Sequence, residues 1–199
     1  MNTQTERFKK MRESSRIHIL SSAVDTFIKN TYPNTTIKNI AKDAGISTGL
    51  LYRYFDSKQS LFEEILRDAI DGLKHITVQF QDIETPRETL EDVTGRIFND
   101  LQNDDRTTKN MLLIAQHLTL KNTDSLLLDE IIRTDKEMIN SLSKLIEAGQ
   151  KKHVFNSGNS YSLAIHYFAS LQGTAVMKHT LDEDYVLISP EVFLKYLIQ

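Results

Sequence analysis

Apolar residues recur along this chain at intervals of three and four positions, and this spacing constrains the fold more than any other feature. Ile19, Ala23 and Phe27, for example, stand four residues apart, which places them on one face of a helix. No stretch of useful length alternates apolar and polar residues as a half-buried strand does. We therefore predict an all-α protein of about nine helices.

Two short helices joined by a tight turn are predicted near the N-terminus, over residues 37–44 and 48–54. Gly45 supplies the left-handed turn between them, and Asn30 is expected to end the preceding helix in a left-handed conformation. An inward-facing apolar set completes the pattern of a helix-turn-helix. This set is Ile37, Ile40, Ala41, Ile46, Leu51 and Phe55.

Longer helices follow in the rest of the chain. One is predicted from Lys58 to about residue 80. Thr85 is expected to cap the next helix, with Glu88 completing a capping box. A polar break is expected at residues 122–124, and a last helix is expected to run from Ser189 to the C-terminus.

The charge is divided unevenly along the sequence. Residues 1–60 hold 10 Lys and Arg against 5 Asp and Glu, a net charge of +5, and the remainder holds 14 against 22, a net charge of −8. A basic first part suits a polyanion such as nucleic acid, whereas an acidic remainder repels one. Chance clustering of solvated charges would give the same asymmetry, so charge alone does not decide between the two.

Several classes of protein are disfavoured by what the sequence lacks. It has no cysteine, which excludes disulfides and cysteine-based zinc sites. No apolar run approaches the roughly 18 residues of a membrane span, and the opening residues do not resemble a signal peptide, so a cytoplasmic protein is expected. No two histidines stand three or four residues apart, and no glycine-rich loop or nucleophile elbow is present. We therefore expect no metal, no cofactor and no enzymatic activity.

Four segments between Ile19 and Leu66 carry a resemblance to a known family. They read ILSSAVDTFI, TTIKNIAKDAGIS, GLLYRYFDSK and SLFEEIL. In their order and spacing they resemble the N-terminal domain of TetR-type transcriptional regulators. The resemblance implies a helix-turn-helix DNA-binding domain over residues 1–58 and a helical ligand-binding and dimerisation domain over residues 59–199.

The resemblance also implies DNA contacts at matching positions. Contacts to the sugar-phosphate backbone are implied for Thr36 and Lys38. Contacts to base edges are implied for Ser47, Thr48, Gly49 and Leu50. Phosphate contacts are implied for Tyr52, Tyr54 and Lys58. A cation at the start of a helix is locally unfavourable, so Lys58 is expected to find its partner in the DNA complex, the alternative being a solvated lysine.

Two departures from the family pattern affect these expectations. Thr31 stands where the family usually has glycine, so Asn30 is expected to adopt the left-handed conformation instead. The second short helix is poor in side chains that read bases directly, since it offers only Thr48 and Leu50. Specificity is then expected to depend on DNA shape, on Arg53, or on a basic N-terminal arm. The arm consists of Lys9, Lys10, Arg12 and Arg16.

The C-terminal part offers candidate ligand and dimer residues. The ligand candidates are Phe98, Met111, His117, Tyr167 and Phe168, which would serve equally well as plain core. Gly173 lies within an apolar helix, where glycine costs about 1 kcal/mol relative to alanine. Close approach of a partner helix would explain it, with Phe193 also at the interface, and a glycine packed inside one subunit is the alternative.

These observations lead to one functional hypothesis and two alternatives. The chain is expected to be a homodimeric repressor that binds a palindromic DNA operator and is released by a small-molecule effector. One alternative is a constitutive architectural DNA-binding factor without an inducer. The other is a helical ligand-binding or enzymatic protein with a vestigial helix-turn-helix.

Overall fold

The computed structural model describes residues 3–119 and 126–199, and this part of the chain contains nine α-helices and no strand. The prediction of an all-α fold is therefore confirmed. The helices are α1 Thr3–Asn34, α2 Ile37–Asp43, α3 Thr48–Tyr52, α4 Lys58–Gln79, α5 Pro86–Asn103, α6 Asp105–Thr119, α7 Leu126–Lys151, α8 Ser160–Leu181 and α9 Pro190–Leu194. The predicted break at 122–124 lies outside the described residues.

The chain divides into two compact units, Met1–Asp68 and Ala69–Gln199. The sequence predicted a boundary after residue 58, ahead of α4. The first turns of α4 belong to the N-terminal unit because Phe62 packs edge-on against Phe27 of α1, with ring centroids 4.8 Å apart. None of the helices in the described ranges is long and apolar enough to cross a lipid bilayer.

In the first unit, α1, α2 and α3 enclose a small apolar core. Its fully buried members include Ile19, Phe27, Ile40 and Leu51. Gly45 has φ +65° between α2 and α3, so the predicted left-handed turn is confirmed. The predicted basic arm is helical, since α1 begins at Thr3.

The break in α1 lies at Thr31, not at Asn30 as the sequence suggested. Thr31 has φ 63° and ψ 160°, a region that glycine adopts almost alone because a Cβ clashes there. The Thr35 hydroxyl donates to the Thr31 carbonyl oxygen at 2.8 Å, which helps to hold the break. The family's usual glycine position is therefore left-handed in this chain too, and the threonine is strained.

The second unit packs α5, α7, α8 and α9 around an apolar core. Thr85 precedes α5 as predicted, but its side chain makes no capping hydrogen bond, so the predicted capping box is wrong. Ser189 does cap α9, but α9 ends at Leu194 and not at the C-terminus. The final residues turn back, and Ile198 forms an isolated antiparallel bridge with Phe155.

Candidate nucleic-acid interface and ligand cavity

The two short helices of the first unit are held by their own caps. The backbone N–H of Asn39 donates to the hydroxyl of Thr36 at 3.2 Å, and the Asn39 amide oxygen accepts from the Thr36 N–H at 3.0 Å. In α3 the backbone N–H of Leu50 donates to the hydroxyl of Ser47 at 3.1 Å. Leu51 is completely buried beneath α3. These caps start each helix at a defined residue, and the buried leucine fixes which face of α3 points outward.

The outward face of α3 brings most of the predicted base-contacting residues together. Ser47, Thr48 and Gly49 are exposed, and Leu50 and Tyr52 are 37% and 53% exposed although both are largely apolar. Thr36 and Lys38 are also exposed, and Tyr54 is half-buried.

Lys58 is bonded within the free chain, contrary to the expectation that it would find a partner only in a complex. Its Nζ donates to the carbonyl oxygens of Tyr32 and Thr35, each at 2.8 Å. The ammonium also lies 4.3 Å from the centroid of the Tyr32 ring, a cation–π distance. Burial lowers the pKa of Lys58. This lysine therefore ties the start of α4 to the end of α1.

Two arginines of α1, Arg16 and Arg12, have different surroundings. Arg16 forms an ion pair with Glu64, which raises the pKa of the guanidinium, and it lies 5.0 Å over the Phe55 ring. Arg12 lies 6.0 Å from the centroid of the Tyr54 ring. With Leu50, Arg53 and Tyr54 it lines a cleft of about 290 Å³. The sequence analysis named Arg12 only as part of an arm and did not place it beside α3.

A cavity of about 310 Å³ lies among α4–α8 in the second unit. Of the predicted ligand residues, Met111 and Phe168 line it. Phe98, His117 and Tyr167 are buried elsewhere in the unit. The cavity prediction is thus supported at two of five positions.

Tyr167 serves the core of the second unit. Its hydroxyl lies 2.8 Å from the Thr94 hydroxyl, which itself donates to the Leu90 carbonyl oxygen at 2.7 Å. Because the Thr94 proton is used in that bond, Tyr167 is the donor to Thr94. Burial raises the pKa of Tyr167. The hydroxyl of Tyr167 therefore has a hydrogen-bond partner within the core.

Two polar cavity residues were missed in the sequence. Asp135 lines the cavity, and burial raises the pKa of its carboxyl from 3.8 to about 6. Gln172 lines it too, and its Nε2 donates to the Met111 carbonyl oxygen at 3.0 Å. Asp135 lies in the amphipathic helix α7, where a polar residue is ordinary, so no local signal marks it. In neither described stretch do three His, Asp or Glu side chains lie close enough to hold a metal ion.

The outer face of α8 is largely apolar and exposed. Gly173 lies on this face with open space where a Cβ would stand, so the alternative of a glycine packed inside the subunit is wrong. Ile165, Val176 and Met177 are 44%, 40% and 46% exposed. Phe193 is different, because it is only 6% exposed and packs on Phe98 with ring centroids 5.0 Å apart. It belongs to the core of its own chain and is not available to a partner.

A family model described as "Bacterial regulatory proteins, tetR family" matches residues 19–65. The matched segment spans most of α1, all of α2 and α3, and the first turns of α4. Over these residues the chain is similar to the tetR family.

Relatives of this chain are named as regulators. The HTH-type transcriptional repressor KstR2 of Mycolicibacterium smegmatis is 39% identical over 82 residues, which cover 41% of this chain and 39% of that protein. The HTH-type transcriptional regulator HbdR of Aromatoleum sp. is 35% identical over 41% of this chain and 36% of its own length. The chain therefore matches less than half the length of these relatives. The fatty acid metabolism regulator protein of Bacillus subtilis is 25% identical over 90% of this chain and 91% of its own.

Solved structures share the fold of this chain. The MbdR regulator from Azoarcus sp. CIB has a TM-score of 0.72 at 22% identity and covers 91% of this chain and 93% of its own. AibR in complex with isovaleryl coenzyme A and operator DNA has a TM-score of 0.67 at 16% identity, and it covers 91% of this chain and 94% of its own. At these identities the likeness concerns the fold alone.

Proposed function

We propose that this chain is a tetR-family transcriptional repressor that binds a palindromic DNA operator as a homodimer and is released by a small-molecule effector. One observation carries the proposal: the matched tetR segment presents the capped, outward face of α3, and the same unit carries exposed cations. Lys38 lies on α2, and Arg12 and Arg53 border the cleft beside Tyr54.

The proposed DNA contacts are of two kinds. Contacts to phosphates position the protein without reading sequence. They are made by Thr36, Lys38, Tyr52, Tyr54 and the remaining N–H of Lys58. The α3 face over residues 47–50 lies against base edges. Leu50 contacts thymine methyl groups, and Thr48 makes one hydrogen bond. Because this face has few direct readers, we add Arg12 and Arg53 as contacts in the adjacent groove or backbone.

The proposed dimer forms through α8. The helix is apolar on nearly all sides, yet one chain covers only the side bearing Ala164, Tyr167, Leu171 and Ala175. A helix of this kind requires cover on its other side. Gly173 lies on the exposed stripe beside Val176 and Met177, where a small residue lets two helices approach closely. The five-residue α9 is too short to pack along a partner's helix. We therefore assign the dimer interface to α7 and α8.

The effector site that we propose is the cavity in the second unit. Its volume of about 310 Å³ lies at the small end of the range of ligand pockets, roughly 300–1,000 Å³. It argues for the inducible repressor over the constitutive factor, because a factor without an effector has no use for such a cavity.

The proposal is tested by selecting duplexes from a random pool with the purified protein, followed by footprinting. We expect protection of two inverted half-sites by a dimer, with centres about 34–36 Å apart or a multiple of that distance. Lys38→Ala should flatten the plot of log K against log salt by about one unit. Lys29→Ala, which removes an exposed cation from α1, is the matched control and should leave the slope unchanged. Protection of one asymmetric half-site by a monomer would contradict the proposal.

A further inference from the structure

The cavity in the second unit is apolar except at two positions. Asp135 of α7 and Gln172 of α8 are the polar residues of its described lining, and the other contributors are aliphatic side chains, methionines and Phe168. An apolar pocket with a few polar groups binds a mainly apolar molecule, whose orientation the polar groups decide. The chemistry of Asp135 and Gln172 therefore indicates the class of ligand.

Both polar groups present hydrogen-bond acceptors to the cavity. The Nε2 of Gln172 is committed to the Met111 carbonyl oxygen at 3.0 Å. Because that carbonyl only accepts, the amide orientation is determined and the Oε1 of Gln172 remains as an acceptor. An ionised Asp135 carboxylate offers acceptors alone. A ligand must therefore bring the donors.

Asp135 also lacks a compensating cation in the described part of the chain. No Lys, Arg or His lies in the described lining of the cavity, and burial alone raises the pKa of Asp135 to about 6. At neutral pH the carboxylate is ionised in an apolar setting, which is costly until a positive charge compensates it. The nearby Phe168 ring adds a surface that favours cations.

We propose that the effector of this chain is an apolar molecule carrying one protonated amine, whose ammonium pairs with Asp135 and donates to the Oε1 of Gln172. That the ligand acts as an effector rests on the proposed function. That it binds at this place rests on the cavity alone. A ligand with a carboxylate in the same place would set two anions together in an apolar cavity, and the site therefore discriminates against free fatty acids.

The test is calorimetric titration of the full-length protein at pH 7.5 with three probes of equal chain length, n-octylammonium, octanol and octanoate. We expect n-octylammonium to bind at least tenfold more tightly than octanoate. Asp135→Asn should weaken the binding of n-octylammonium at least tenfold and leave the binding of octanol unchanged. Glu137→Gln, which removes an exposed carboxylate from the same helix, is the matched control and should change nothing. Circular dichroism confirms that the near-isosteric Asn variant is folded.

Two results would overturn the inference. One is n-octylammonium binding that Asp135→Asn does not weaken. The other is binding of octanoate that is as tight as that of n-octylammonium and insensitive to Asp135→Asn. Retardation of the selected duplex is measured separately in the same preparations. Loss of DNA binding would therefore contradict the repressor proposal without altering the calorimetric result, and the two failures are distinguishable.

Discussion

The Nζ of Lys58 donates a hydrogen bond to the backbone carbonyl oxygen of Thr35 at a distance of 2.8 Å. A second bond at the same distance reaches the carbonyl of Tyr32. Carbonyls at the end of a helix lack partners within it, and a lysine ammonium can supply the donor. A cation at the first position of α4, unfavourable for that helix alone, is thus explained by the end of α1.

Lys58→Ala is expected to lower the free energy of unfolding by about 1 kcal/mol, because two bonds from a charged donor are lost at a partly exposed site. The third N–H of the ammonium is available to a phosphate, so we also expect the salt dependence of DNA binding to flatten by about one unit. Urea denaturation and titration of the selected duplex measure the two effects. Lys29→Ala should change stability by less than about 0.5 kcal/mol. Equal stability of Lys58→Ala and the parent would contradict the structural role.

Thr31→Gly is expected to raise the free energy of unfolding by about 1 kcal/mol. The observed φ of 63° with ψ of 160° strains a β-branched residue, and glycine relieves this at some cost in unfolded-chain entropy. Asn30→Gly is the matched comparison, since Asn30 is helical and the same change there should destabilise by a similar amount. Thermal unfolding of both variants checks the sign. Destabilisation by Thr31→Gly would show that the threonine contacts outweigh the strain.

Gly173→Leu is expected to give a folded monomer with strongly reduced affinity for the operator. A Cβ at this position meets no atom of its own chain within 4 Å, so the fold should survive while the proposed α8 interface is pushed apart. Gly72→Leu adds the same side chain at another exposed helical glycine with open space, and the dimer should persist there. Sedimentation velocity measures the oligomeric state of both variants, and circular dichroism shows whether they are folded. A dimer of unchanged association constant in Gly173→Leu would exclude α8 as the interface.

Asp135→Asn is expected to stabilise the chain above about pH 6 and to have no effect near pH 4. The carboxyl pKa rises from 3.8 in the unfolded reference to about 6 in the folded chain. The folded state therefore binds more protons between these values, and the parent loses stability as the pH rises through them. The full shift corresponds to about 3 kcal/mol, and solvent screening of this partly exposed group leaves on the order of 1 kcal/mol.

Urea denaturation of the parent and Asp135→Asn from pH 4 to pH 8 measures this difference. Burial also lowers the pKa of His117 of α6, but this residue is present in both proteins, so its contribution cancels in the comparison. A constant difference across the range would mean that the Asp135 carboxyl titrates normally.

Local signals in the sequence were sufficient to predict the helix-turn-helix and its outward face. Gly45 marks the turn because only its backbone tolerates a left-handed conformation at little cost. Ser47 marks the start of α3 because its hydroxyl accepts the Leu50 N–H. The buried Leu51 and the exposed Leu50 differ by their position in the helical period. Each of these features depends on residues within one or two turns of each other.

Contacts between distant residues were decided only by the tertiary structure. Helical periodicity states which residues share a face, but not which helix covers that face. Phe193 was therefore predicted as an interface residue, whereas Phe98 of α5 and Tyr167 of α8 pack against its ring. Asp135 was not singled out by the sequence, because only the fold places it in a cavity lined mainly by apolar side chains. The partners of Lys58 stand 23 and 26 residues away, a separation at which the chain's local preferences carry no information about which atoms meet.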